Sequence, residues 1–404
     1  MAPSRLSEAL AGPEALPDAG RLLVLRPGAE SDLSALPRDR TVVVTGFRPD
    51  ADRLAALGWQ VAGRAEGLFA GVVLFLPRAK ALARAMIAEA AAAVAPDGPI
   101  WIDGQKHDGI EAALRDIRAR AAIVANLTRA HGRSFAFANP GPAPFADWVA
   151  QASEVAPGFV TRPGVFSADG IDPGSALLAA HLPAGLKGKG ADLGAGWGWL
   201  AAQVLTRAAV RELHLVEAEA EALACARDNI RDPRALFHWA DATSFTVGHA
   251  LDFVVMNPPF HQGRAADPAL GAAFIRSAQR LLQPQGQLWL VANRTLPYED
   301  VLAGCFSEVR AVATGQGFKV ISALRPRPAK RERRVGLQAG LTLMKGAPSS
   351  IRPMIAAVSP ACRRASRAGA ARSSGTAASS PPAVCGSKSR AARGLSAISI
   401  RAAA

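Results

Sequence analysis

The sequence has 404 residues, half of them hydrophobic, enough material for two domains with cores of their own. Its formal net charge of +14 belongs to one end. From Arg325 onward sixteen Lys/Arg face the single acid Glu332, whereas residues 1–324 hold 31 bases and 32 acids, so the global charge is no argument for a nucleic-acid-binding fold. The best apolar run, GLFAGVVLFLP over 67–77, is too short to span a bilayer and is flanked by Arg64 and Arg78. The N-terminus carries acids and prolines where a signal peptide needs an apolar stretch. Cys225, Cys305, Cys362 and Cys385 have no metal-ligand spacing. A reduced, cytoplasmic protein is expected, with no membrane association and no metal.

In chain order, residues 1–150 alternate apolar runs with Ala-rich segments. They predict strands at 21–27, 41–46, 71–77 and 100–104 and helices at 79–95 and 108–121. This is one α/β domain without a glycine-rich loop. Residues 156–182 read as a connector feeding a helix from about Gly174. From Gly190 the alternation becomes regular. Strands are predicted at 190–193, 213–217, 235–241, 251–257, 287–293, 309–314 and 319–324, with helices at 199–208, 218–230, 266–282 and 298–306. Near-continuous apolar strands alternating with helices imply a parallel sheet covered on both faces. The last two strands are separated only by GQGF, which makes a hairpin and brings in one antiparallel strand. From Gly346 to the end the chain is rich in Ala, Ser, Arg and Pro with no acid, a composition that cannot bury a core and predicts disorder. The expected division is therefore 1–150, 151–326 and a basic low-complexity tail, 327–404. That tail is more plainly a dispensable extension than a phosphate-binding arm.

The turn Gly194-Ala195-Gly196-Trp197-Gly198 follows the first strand of the second domain. A dinucleotide loop needs a small residue three places after its second glycine, and here that residue is Trp199. There is no Walker lysine either. Asp192 stands ahead of the glycines, where it would repel a pyrophosphate but suit an ammonium group such as the methionyl amine of S-adenosylmethionine (SAM). Glu217, 25 residues on, ends the second strand and can accept from two ribose hydroxyls; Asp241 ends the third and can accept from an adenine amine. Any one acid at a strand end is as readily a helix cap. Three at successive strand ends beside a glycine turn point to a ligand.

The fourth strand, LDFVVM, runs into Asn257-Pro258-Pro259-Phe260. Two prolines cannot continue a ladder. They do fix a backbone carbonyl and remove competing donors. An exocyclic amine on a base is a poor nucleophile because its lone pair is conjugated into the ring. The Asn257 side-chain oxygen and the Pro258 carbonyl can both accept from that amine and favour its tetrahedral form, while Phe260 offers a face for a flipped base. No strong general base is needed. The plainer reading is a Pro-Pro turn with a core phenylalanine, and its position downstream of DLGAGWG argues against that.

PGVFSADGIDPGSALL (163–178), NPPFHQG (257–263), VANRTLPYEDVL (291–302) and GQGFKV (315–320) together resemble the ribosomal RNA small-subunit guanine-N2 methyltransferase C family over about 150–324. The resemblance implies a seven-stranded, Rossmann-like class I methyltransferase domain preceded by a second, degenerate methyltransferase-like α/β domain. It also implies SAM as cofactor and N2-methylation of a guanosine in 16S ribosomal RNA, on the small subunit or an assembly form of it. Asp192, Gly194, Gly196, Glu217 and Asp241 fall on its SAM positions, and Asn257, Pro258 and Phe260 on its target-amine positions. Phe166 and Asp169 are weaker cofactor candidates. Methylation of adenine N6 or protein glutamine N5, which use the same corner, and a non-catalytic RNA-binding assembly factor are the competing readings. His261 and Gln262 read better as loop polars, Trp197 and Trp199 as packing near the cofactor, and Lys319 as solvated. Arg115, Arg118 and Arg120 read as a solvated helix face before an RNA patch. Arg294 and Tyr298 are open between RNA contact and loop packing. A monomer is expected.

Overall fold

A computed structural model describes residues 4–12, 15–259, 261–262, 265–266 and 268–328. The chain divides into a unit Met1–Arg333 and a unit Arg334–Ala404; the second, and with it nearly all of the basic tail, lies outside the described residues.

Strands β1 (Leu22–Leu25), β2 (Thr41–Val44), β3 (Gln60–Ala62), β4 (Gly71–Phe75), β5 (Pro99–Gln105), β6 (Ile123–Arg129) and β7 (Gly132–Ala138) form one sheet in the order β3-β2-β1-β4-β5-β7-β6. Helices α1 (Arg5–Leu10), α2 (Arg48–Ala56), α3 (Lys80–Ala93) and α4 (Ile110–Arg118) accompany it. The four expected strands and two expected helices are present. Of the strands the sequence reading passed over in this sheet, β7 is seven residues long and mostly buried, whereas β3 and β6 bury little. β3 has three residues, none of them buried, and β6 is an edge strand that alternates half-buried with exposed side chains.

A hairpin, β8 (Ser153–Ala156) and β9 (Phe159–Thr161), then helix α5 (Pro173–His181), lead to the second sheet. This contains β10 (Gly188–Leu193), β11 (Val210–Glu217), β12 (Ala235–Trp239) and β13 (Leu251–Met256). After the two-residue strands β14 (His261–Gln262) and β15 (Ala265–Ala266) come β16 (Leu282–Asn293), β17 (Phe306–Gly315) and β18 (Phe318–Pro326). The order is β12-β11-β10-β13-β16-β18-β17, with helices α6 (Trp199–Leu205), α7 (Ala220–Asn229), α8 (Pro268–Leu281) and α9 (Glu299–Cys305). Every strand and helix expected from Gly190 onward is found. β18 is antiparallel to both neighbours, and its turn from β17 uses Gln316 and Gly317 at positive φ, the geometry that matches strand twist. Both faces of this sheet are buried, as continuous apolar strands require.

The two sheets have one topology, which allows residue-by-residue comparison. Leu25 pairs with Val44 and Leu74, as Leu193 pairs with Val216 and Met256. Arg26 donates its backbone N–H to Val44 at 2.7 Å, as Gly194 does to Val216 at 2.8 Å, and both have positive φ. In this register Val24 stands where the second sheet has Asp192, Thr45 where it has Glu217, and Phe75 where it has Asn257. The first sheet thus keeps the layout without the carboxylates or the amide.

The loops after the second strand of each sheet clasp one another. Ala220 donates to Gly46 and Arg48 to Ala218, both at 2.9 Å, about a bridge between Phe47 and Glu219. Since Gly46 and Ala218 are equivalent positions, the clasp is locally two-fold. The Trp239 indole N–H reaches both carbonyls, Gly46 at 2.9 Å and Ala218 at 2.8 Å, and Arg26 pairs with Glu219 at 2.9 Å. Cores on both sheets are close-packed. A methyl group on Gly190 would lie 2.2 Å from ring carbons of the fully buried Phe253. Gly190→Ala should therefore overpack β10 against β13, costing about 1–3 kcal/mol. The check is a thermal unfolding midpoint several degrees below that of the parent.

Candidate functional site

The site is built at the carboxyl edge of the second sheet, where open α/β sheets take ligands. β10 leaves the sheet through Gly194 and Gly196, at φ 77° and 55°, conformations that favour glycine. Asp192, two residues before the turn, is only 1% exposed, and neither carboxylate oxygen has a side-chain hydrogen-bond partner among the described residues. Burial first, and the neighbouring Glu217 second, push its pKa up to about 8. Desolvation favours the neutral acid, and a cation placed beside it would restore the charge.

Glu217 accepts from the backbone of Gly196 through Oε2 and of Glu219 through Oε1, both at 2.8 Å. Burial raises its pKa as well. This carboxylate ties the glycine turn to the clasped loop. Asp241 commits Oδ1 to the amide and hydroxyl of Thr243, at 2.8 and 2.7 Å, in an Asx-turn. Its Oδ2 has no hydrogen bond among the described residues. Gly194, Gly196, Glu217, Asp241, Asn257 and Pro258 line one cavity of about 490 Å³, a volume suited to a nucleoside-sized ligand. Its wall also includes Phe47 and Pro49, from the loop of the first sheet, and Phe166, which is 57% exposed. Asp192 sits in a contiguous recess of about 40 Å³ that shares Phe166, Gly194, Gly196 and Asn257 with the larger space.

Asn257 is not a free amide. Its Nδ2 donates to Asp172 Oδ2 at 2.8 Å and to Ser175 Oγ at 2.9 Å, both at the start of α5. Oδ1 has no partner among the described residues. Pro258 is buried beside it. Phe260 and the side chains of His261 and Gln262 lie outside the described residues.

Several secondary expectations are corrected. Asp169 is exposed and does not line either cavity; the acid that this loop brings to the site is Asp172, three residues on. The sequence signal for Asp172 was that of a helix cap before Pro173, and nothing local tied it to Asn257. Lys319 is not solvated. It is buried, donates to the Leu296 carbonyl at 2.8 Å and pairs with Glu299, because it must hold the loop before α9. Tyr298 is buried in the core against that loop, while Arg294 is exposed. Trp197 is buried and donates its indole N–H to the Phe166 carbonyl at 3.1 Å, which fixes the 163–170 segment over the glycine turn. Arg120 is bound to Asp147 through two nitrogens and stacks on Trp148, whereas Arg115 and Arg118 are exposed. Away from this edge, Glu212 and His214 on β11 meet His249 of the loop before β13, with one ligand atom each within 4.8 Å of one another. Glu212 is there shared by both imidazoles and Lys189.

Residues 157–322 match the family model of the methyltransferase small domain, the class of enzyme that this topology and this carboxylate-lined cavity define. Ribosomal RNA small subunit methyltransferase C of Shewanella baltica is 31% identical over 259 residues, 62% of this chain and 74% of the relative. The protein of the same name from Hahella chejuensis is 29% identical over 329 residues, covering 76% and 94%. A 16S rRNA N2 methyltransferase of T. thermophilus, solved in complex with AdoMet and guanosine, superposes with a TM-score of 0.66 at 25% identity, over 80% of this chain and 92% of that one. The chain belongs to the ribosomal RNA small subunit methyltransferase C family. Its first sheet is the second, degenerate methyltransferase-like domain of that architecture.

The buried Asp192 makes a stability prediction. Between pH 4 and its raised pKa of about 8 the folded protein holds a proton that the unfolded chain has released. Its contribution therefore falls as pH rises through that window. Asp192→Asn should unfold at a higher temperature than the parent at pH 8, by a margin that shrinks toward pH 5. Melting curves at three pH values check this.

Proposed function

We propose that this protein is a SAM-dependent methyltransferase that modifies the exocyclic N2 of a guanosine in 16S ribosomal RNA, with Asn257 and Pro258 as the amine clamp. The observation that carries the reading is the Asn257 amide. Its Nδ2 is engaged by Asp172 and Ser175, its oxygen has no partner among the described residues, and the residue lines both the cavity and the recess that holds the buried Asp192. Family membership supplies the reaction, and the T. thermophilus relative bound both AdoMet and guanosine.

SAM, when bound, supplies an electrophilic methyl group on a sulfonium. The chain's residues then have separate tasks. Asp192 suits the ammonium group of the methionyl part, because its carboxylate is buried without a counter-charge. Glu217, held by two backbone amides, presents its outer lone pairs to the ribose hydroxyls. Asp241, through Oδ2, is free to accept from the adenine amine. Gly194 and Gly196 let the backbone approach closely. Asn257 Oδ1 and the Pro258 carbonyl accept from the guanine amine and turn its lone pair toward the methyl group. Pro258 and Pro259 bring no N–H to compete. Phe260 is assigned to base stacking on the resemblance alone.

The degenerate domain, residues 1–150, is assigned to support. Phe47 and Pro49 complete the cavity wall, and the clasp to Ala218 and Ala220 fixes the loop that follows Glu217. Residues 151–326 carry catalysis, and 327–404 are left without a part in it. Among the described residues no helix is long and apolar enough to cross a membrane. We place the protein in the cytoplasm, where its ribosomal substrate resides.

The test is incubation with methyl-labelled SAM and small subunits, or their RNA, from a strain lacking the gene, followed by digestion to nucleosides. Label in N2-methylguanosine is expected. Label in N6-methyladenosine would keep the clamp and discard the guanine assignment. No RNA label despite SAM binding would point to a protein substrate or an assembly role. Asn257→Ala should lower transfer by about a hundredfold or more while SAM affinity stays within a few fold. Equal loss of both would reject the clamp.

A further inference from the structure

An asparagine amide has no intrinsic preference for which end faces a substrate, because its oxygen and nitrogen are nearly equal in size. If the amide of Asn257 turned over, its NH₂ would meet the NH₂ of the target base, donor against donor. Something must therefore fix the end that faces the cavity. In this chain two acceptors do so from one side: Asp172 Oδ2 at 2.8 Å and Ser175 Oγ at 2.9 Å both take hydrogens from Asn257 Nδ2.

The two acceptors are themselves held. Asp172 is the N-cap of α5, accepting from the Ser175 amide at 2.7 Å through the same oxygen that holds Asn257, with Pro173 at the first helical position. The helix is seated on the sheet: Leu178 is fully buried, and a Cβ on Gly174 would lie 3.1 Å from the Phe318 ring. Both side chains also line the recess that contains Asp192.

We propose that Asp172 and Ser175 are positioning residues for the reaction, locking the Asn257 amide with its oxygen toward the target amine and strengthening that oxygen as an acceptor. The proposal rests on the clamp reading of Asn257 and extends it. A carboxylate accepting from Nδ2 makes a charge-assisted hydrogen bond and polarises the amide toward its oxygen. As the target nitrogen gives its lone pair to the methyl group it gains positive charge. A more electron-rich Oδ1 stabilises that charge more in the transition state than in the ground state, which is the condition for raising kcat.

Three variants separate this role from plain helix capping, with kcat, SAM affinity by calorimetry and melting temperature read for each. Asp172→Ser retains an N-cap oxygen but is too short to reach Asn257. It should melt with the parent, bind SAM within about threefold, and lose turnover by up to about a hundredfold. Asp172→Asn can offer one oxygen to both the Ser175 amide and Asn257, and should recover most of that loss. Ser175→Ala should lose less than Asp172→Ser, since the charged partner remains. Parent-like kcat in Asp172→Ser would overturn the proposal. So would a loss of SAM affinity in step with turnover, which would make Asp172 a cofactor ligand. Full turnover in Asn257→Ala would instead reject the clamp itself, a failure distinguishable from that of the positioning role.

Discussion

The arrangement turns on one group without a counter-charge, the carboxyl of Asp192, buried near the end of β10 with no side-chain hydrogen bond among the described residues. A folded chain does not leave such a group in its interior without cost, because desolvation drives it toward the neutral acid. Its surroundings make sense as the frame for an incoming cation. Glycines at positive φ keep side chains out of the space in front of it. Glu217 raises the local negative potential while holding the glycine turn in place. Asn257, on the next strand over, is oriented across the same recess by α5. The site thus has a carboxyl end at Asp192, in the small recess, and a hydrogen-bonding end at the NPP corner, which faces both the recess and the nucleoside-sized cavity.

The first sheet shows what remains when that group is removed. Same strand order, same pairing, even the positive φ after the first strand persist, with Val24, Thr45 and Phe75 in place of Asp192, Glu217 and Asn257. Fold and chemistry are therefore separable in this protein: the topology stands on buried apolar strands and needs none of the polar residues. The first domain still reaches the site. Its loop at 46–48 pairs with the loop at 218–220, and through Phe47 and Pro49 it walls the cavity of its sister. A domain of the same topology without these carboxylates contributes in this way to the wall of the cavity.

Much of this was legible in the sequence because parallel strands buried on both faces leave long apolar runs, and glycine turns and acids at their ends are local signals. Asp192, Glu217, Asp241 and Asn257 could be picked out for that reason, as could the seven strands and four helices of the second sheet, though not the two-residue strands β14 and β15. Apart from the buried strand β7, the misses left no local signal. β3 and the edge strand β6 bury too little to imprint a period. Asp172 looked like an N-cap, which it is, but its bond to Asn257 joins residues 85 positions apart, a separation that only the folded sheet closes. Lys319 reads as a surface lysine in any window of sequence; its burial depends on a carbonyl of the preceding loop and on Glu299. The site-lining role of Phe47 and Pro49 depends on the clasp between two domains, and no local pattern encodes it.

The most direct test of the central claim is calorimetric titration of SAM at neutral pH in buffers of different ionisation enthalpy, for the parent and for Asp192→Asn. If Asp192 waits as a neutral acid for a cation, the parent releases about one more proton per SAM bound than the variant does, and binds it more tightly. Equal proton release and equal affinity would mean that Asp192 stays protonated in the complex, and that the buried carboxylate is not what the site is built around.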